Sequence, residues 1–201
     1  SPALVDEMHI WRGQAEASYG GRLSGVMEMN TSRNIISRPA AGATLNLTHT
    51  DAYVKIPLIK GKSDLHVSGR TSLTGPFGNP TYESFQQQIF QNTSLNNFYF
   101  EDENTTDTIS GEDQVFNFEE VNARWQWNPN QQTSITVSGF HQSDDFTNVQ
   151  TAQQDRLTFN ISEEILTKNN GVSAGLKHQF PAGGNLSLQG SYSDYFNENA
   201  A

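Results

Sequence analysis

The sequence predicts an all-β protein: part of a transmembrane antiparallel barrel, preceded by a compact segment that does not belong to the barrel wall. Three observations lead there. From about residue 43 onward apolar residues recur at every second position, the period of strands with two unlike faces. The connections between these runs alternate short and long, the order found where all tight turns lie on one side of a membrane. No run of about 18 apolar residues occurs, so a spanning helix is excluded while spanning strands are not.

The first thirty-odd residues break the rule of two. Val5, Met8, Ile10 and Trp11 suggest a short strand, followed by Arg12-Gly13, a small-residue link, the run Tyr19-Gly20-Gly21-Arg22-Leu23-Ser24-Gly25, and a second strand from Val26 to Met29. Glycines at this density imply close backbone approaches. The segment is read as residues 1–33, with barrel strands over 34–201.

The barrel strands follow in order. Ile35 to Leu47 is the first candidate, with a bend near Thr48 to Thr50. Ala52, Val54, Ile56 and Leu58 alternate with polar neighbours up to Lys60-Gly61-Lys62-Ser63, and Leu65, Val67 and Gly69 continue beyond it as the second arm of a hairpin. Val121, Ala123, Trp125 and Trp127 pair across Asn128-Pro129-Asn130 with Ile135 and Val137. Val172, Ala174, Leu176 and Phe180 pair across Pro181-Ala182-Gly183-Gly184 with Leu186, Leu188 and Tyr192. Gly75 to Gln114 and Ser143 to Lys168 show no steady period and read as long loops.

That makes about seven strands, an odd number, whereas single-chain bacterial barrels are even and about eight is the smallest that closes on packed side chains. This chain is not expected to close a barrel alone. It begins at Ser1 without a signal-peptide pattern and is expected to be processed or cut from something longer.

Composition narrows the function. With 12 Lys plus Arg against 22 Asp plus Glu the net charge is −10, which argues against nucleic acid as a partner, because phosphate binding needs clustered cations. The chain has no cysteine, so thiolate metal sites and Cys nucleophiles are excluded. No nucleophile elbow, P-loop or dinucleotide fingerprint occurs, and neither an enzyme nor a cofactor is expected.

The residues Ile10-Trp11-Arg12-Gly13, Tyr19-Gly20-Gly21 and Gly25-Val26-Met27-Glu28-Met29 resemble the C-terminal end of the plug domain of TonB-dependent outer-membrane receptors. There a strand ending in Arg-Gly leads to a Tyr-Gly element and a Gly-Val-hydrophobic strand. Lys60-Gly61-Lys62 and Val67-Ser68-Gly69-Arg70 look like the first barrel strands of the Bacteroidota members. The family's usual proline after Arg-Gly is Gln14 here, and Arg22-Leu23-Ser24-Gly25 does not fit the nutrient-uptake SusC branch.

The resemblance implies a barrel of 22 strands with a plugged lumen, of which this chain holds the end of the plug and about the first seven strands. It implies energy-coupled uptake of a scarce solute such as a siderophore, saccharide or peptide. Implied partners are outer-membrane lipid, the remainder of the barrel, TonB through an N-terminal region, and a surface lipoprotein or assembly machinery.

Candidate site residues follow. Arg12, like plug arginines of the family, is a candidate lock to a barrel carboxylate, with Glu120 named as partner; the alternative is a solvated surface arginine. Tyr82, Phe85, Phe98, Tyr99 and Phe100 make one long loop aromatic, either for ligand contact or for packing the loop on itself. Glu101-Asp102-Glu103 with Asp107, Glu112 and Asp113 lacks EF-hand spacing and reads as a solvated loop. The five histidines are scattered without metal-ligand spacing. Six Asn-x-Ser/Thr sequons are accounted for by composition. Trp125, Trp127 and Phe180, near the short turns, fit an interfacial aromatic girdle. A competing class is a secreted β-sandwich binding carbohydrate or protein, in which the tryptophans would be core or sugar-stacking residues.

Overall fold

The computed structural model describes residues 5–13, 25–31, 34–74, 108–154 and 157–200. All regular structure among them is β-strand. Strand β1 (Val5–Arg12) pairs antiparallel with β2 (Gly25–Thr31) as a separate two-stranded unit. A seven-stranded antiparallel sheet follows in strict sequence order: β3 (Ala40–Leu45), β4 (His49–Ile59), β5 (Ser63–Ser72), β6 (Thr108–Asn130), β7 (Thr133–Gln154), β8 (Leu157–Gln179) and β9 (Asn185–Ala200). The sheet is open, with β3 and β9 at its edges, and is not a closed barrel.

The short turns are built by residues suited to them. Gly61 has φ 69°, and Lys62 N–H donates to the Ile59 carbonyl, closing the β4–β5 turn with the left-handed residue it needs. Asn130 Oδ1 accepts the Gln132 N–H at 3.0 Å between β6 and β7. Gly183 and Gly184, both at positive φ, turn the chain between β8 and β9. Because the sheet is a simple meander, these three turns share one end. At the other end Asn46 Oδ1 accepts from the Thr48 and His49 N–H groups, an Asx turn that replaces the expected bend at 48–50.

Two expectations need correction. The first strand starts at Ala40 rather than near Ile35, just after Pro39, which has no N–H to donate to a ladder. The stretch Ser143 to Lys168 is not a loop. β7 and β8 stay paired from Thr133↔His178 to Gln154↔Leu157, and β6 runs back to Thr108, so residues 108–114 are also strand. Neither face is uniformly apolar there: Phe146 is buried beside the polar Asp144 and Asn148 on one face, and Leu166 lies opposite Asp145 on the other. The hydrophobic alternation therefore fades while the backbone ladder continues. The remainder of the expected first long loop lies outside the described residues.

Side-chain alternation divides the sheet into two unlike faces. One carries Val54, Ile56, Leu65, Val67, Val121, Ala123, Trp125, Val137, Val172, Leu176 and Leu188, aligned by cross-strand register. The other carries Asp64, His66, Ser68, Arg124 and Gln126, all buried. Among the described residues Phe146 is the only buried large apolar side chain, whereas Val121 and Val172 are each 50% and Leu188 56% exposed. This inverts the usual distribution of a water-soluble domain.

Lengths divide the strands as well. Strands β4 and β5, of 11 and 10 residues, match the 9–11 residues that cross a bilayer at a tilt of about 45°. β6 and β8 have 23 residues each, and the surplus of 23 − 11 = 12 residues extends each about 40 Å at about 3.3 Å per residue. Amide hydrogen exchange should therefore find residues 143–149 and 162–168 as protected as 134–140. Fast exchange at those positions would return them to the loop first expected.

Candidate functional site

The ionisable groups of the polar face converge where β5 and β6 meet the β1–β2 hairpin. Register sets His66 opposite Arg124 and Asp64 opposite Gln126. Asp64 is fully buried, His66 2% and Arg124 4% exposed. Asp64 Oδ2 lies 3.2 Å from His66 Nε2 and accepts the backbone N–H of Ile36 at 2.9 Å. Its Oδ1 is 3.6 Å from Arg124 Nη2. Arg124 Nη1 then donates to Thr31 Oγ1, on β2, at 3.2 Å. One carboxylate thus ties together β5, β6 and the linker that follows the hairpin, and Arg124 carries the tie to the hairpin itself.

The cluster is not fully satisfied. Asp64 Oδ1, Ser68 Oγ, and Arg124 Nε and Nη2 are buried without a hydrogen-bond partner. A buried ion pair contributes little net stability because desolvation offsets the Coulomb gain, whereas removing one partner leaves an uncompensated charge at high cost. Such a group is better explained by positioning than by fold stability.

A second ion pair lies further along the same face. Arg70 Nε donates to Glu120 Oε2 at 2.6 Å, and its guanidinium lies 5.2 Å from the Phe118 ring centroid. This places the expected lock residues. Glu120 is held by Arg70, and Arg12 is exposed at the end of β1, opposite Gly25. Among the described residues the structure does not bring Arg12 to Glu120; the charged contact between hairpin and sheet runs through Arg124. The sequence signal was present, since His66 and Arg124 sit at polar positions of otherwise apolar-alternating strands. The pairing of β5 with β6 across residues 73–107 was not readable.

The hairpin itself follows the expected pattern. Gly13, at φ 83°, ends β1. A Cβ on Gly25 would stand 2.9 Å from the Trp11 carbonyl oxygen, so the close approach at that position demands glycine. Tyr19, Gly20 and Gly21 lie outside the described residues, as do the loop aromatics Tyr82, Phe85, Phe98, Tyr99 and Phe100 and the acidic run 101–107. The side chains of Glu112 and Asp113 are likewise not described. Among the described residues no group of three or more His, Asp or Glu is placed to hold a metal. Trp125 and Trp127 stack at 6.2 Å on the apolar face at the short-turn end, and Phe180 packs edge-on against His178 at 4.7 Å.

Comparison with protein-family models, curated proteins and solved structures gave no match.

Removing one partner of the buried pair should be costly. Asp64→Ala, which strands Arg124, is expected to destabilise the folded protein by about 3–5 kcal/mol. Thr31→Val, which removes one hydrogen bond to a charged group, should cost about 1.5–3 kcal/mol. Arg12→Ala, at an exposed position, should stay within about 0.5 kcal/mol. Denaturant unfolding of the protein checks the ranking, and an Arg12→Ala effect as large as that of Asp64→Ala would restore Arg12 as the lock.

Proposed function

We propose that the chain is part of a TonB-dependent outer-membrane receptor: the terminal hairpin of the plug and a seven-strand segment of the wall of a larger, 22-strand barrel. The carrying observation is the inverted burial, apolar side chains exposed on one face and buried ionisable groups on the other. In a bilayer that apolar face meets acyl chains and the polar face meets the lumen. The hairpin lies on the polar face, where a plug belongs. The open edges at β3 and β9 need further strands, since unpaired backbone groups in hydrocarbon cost several kcal/mol each.

In this reading the short turns face the periplasm, with Trp125, Trp127 and Phe180 as the interfacial girdle, and the long arms of β6 to β8 rise outside the cell. The receptor binds a scarce solute at its loops and plug and admits it when TonB deforms the plug. Lipid, the remaining strands, TonB and a surface lipoprotein or assembly machinery are its partners. A β-sandwich would need a second sheet on the apolar face, and the described residues place only the hairpin beside the sheet, on its opposite side.

Two experiments on the full-length protein test this. An epitope inserted between Gln154 and Leu157 should be accessible to antibody on intact cells, whereas one at Ala182 should require a broken outer membrane; equal access contradicts a spanning wall. Val137→Arg, on the apolar face, should cost about 2–4 kcal/mol at the bilayer midplane. The neighbouring Ser138→Arg should be far better tolerated.

A further inference from the structure

Charge is unevenly divided along the sheet. In the stretches that form and flank the three short turns, 56–66, 124–137 and 173–190, the lysines and arginines are Lys60, Lys62, Arg124 and Lys177, and the sole carboxylate is Asp64. Asp64 is already held beside Arg124 and His66. The far arms of β7, β8 and β9 reverse the balance, with Asp144, Asp145, Glu163, Glu164, Asp194 and Glu198 against Lys168. A chain of net charge −10 thus keeps one basic end.

That end carries a recess of about 730 Å³. Lys62, from the β4–β5 turn, and Lys177, near the end of β8, line it, and among the described residues no carboxylate does. Neither lysine forms an ion pair with another described residue. Glu28 of the hairpin borders the adjoining recess together with Lys177, without pairing to it. Backbone bonds fix the frame: Asn128 N–H donates to the Lys62 carbonyl at 2.6 Å, and Gln179 N–H to the Gln132 carbonyl at 2.9 Å. The β4–β5 turn is thereby tied to β6, and the β6–β7 turn to β8.

Side-chain amides supply most of the remaining lining. Gln131, Gln132, Gln179 and Asn185 line the recess without a side-chain hydrogen bond to another described residue. An amide both donates and accepts. An inorganic oxyanion offers acceptors and leaves the amide carbonyls unmatched, whereas an extended peptide presents N–H and C=O groups alike. The span fits as well. Lys62 leads into β5 and Lys177 lies on β8, three strand spacings apart, which is about 14 Å at about 4.8 Å each and equals about four residues of extended chain.

We propose that this recess binds an extended acidic segment of a partner protein, with carboxylates on Lys62 and Lys177 and the segment's backbone on the turn amides. The acidic far arms repel the same segment, which confines it to this end. The chemistry rests on the sheet alone; the receptor reading adds that the partner is periplasmic, since in it the short turns face that side.

A fluorescein-labelled peptide of alternating Glu and Ser, with matched Gln-Ser and Lys-Ser peptides, is titrated against the purified full-length protein and followed by fluorescence anisotropy. The Glu-Ser peptide should bind and the other two should not, and added salt should weaken it. Lys62→Gln and Lys177→Gln should each cost about two- to fivefold in affinity, and the double change about the product of the two. Lys168→Gln, on an acidic arm, should change nothing. All three lysines are exposed, so the variants keep the fold. Three results overturn the proposal: a Gln-Ser peptide bound as tightly as Glu-Ser, undiminished affinity in the double variant, or displacement of the peptide by equimolar inorganic phosphate, which makes the recess a small-oxyanion site. On cells, the peptide should reach the protein only after the outer membrane is opened. Binding to intact cells that the double variant abolishes keeps the site and defeats the receptor reading instead.

Discussion

An antiparallel sheet with a continuous apolar face and two free edges must have that face covered and those edges paired. Here neither requirement is met by the described residues. Ile56, Val67, Val137 and Leu188 project from one side with no second layer against them, and β3 and β9 each have a single neighbour. Hydrocarbon on the face and further strands at the edges satisfy both at once. In the proposed receptor the polar face is an interior, which would account for the burial of Asp64, His66 and Arg124 beside exposed valines and leucines.

The buried charges give the interior its organisation. In a water-soluble core such a cluster would be a costly exception; on the luminal face of the proposed barrel it would lie against other polar groups. Asp64 meets the linker backbone and Arg124 reaches Thr31, so the wall grips both the end of the hairpin and the segment that follows it. The tie from Asp64 to Ile36 closes a loop of 28 residues and that from Arg124 to Thr31 one of 93; closure entropy grows only logarithmically with length, so the longer loop costs only about 1 kcal/mol more.

Much of the fold was legible in the sequence. The alternation in 52–58, 65–70, 121–127 and 172–180 identified strands and faces because the apolar positions of neighbouring strands fall in register on one face of the sheet. The strand pair at 5–12 and 25–31 was legible from its glycines and flanking hydrophobes. The upper arms of β7 and β8 were not, because polar and apolar side chains mix on both faces there, which removes the period that marks a strand. The site was half legible. Glu120 was named from the sequence, but as a partner for Arg12 rather than for Arg70, and the cluster of Asp64, His66 and Arg124 was not named. Cross-strand register between β5 and β6 decides those partners, and the intervening residues 73–107 carry no pattern that sets it.

The orientation of the sheet faces is the claim on which the rest depends, and a nitroxide scan of residues 134–138 in the full-length protein, reconstituted in lipid bilayers, tests it most directly. Labels at 135 and 137 should show high collision rates with oxygen and low rates with a water-soluble nickel chelate, and labels at 134, 136 and 138 should not. If all five positions respond alike, or if 135 and 137 are shielded from both reagents, the apolar face is covered by protein and the membrane account is wrong.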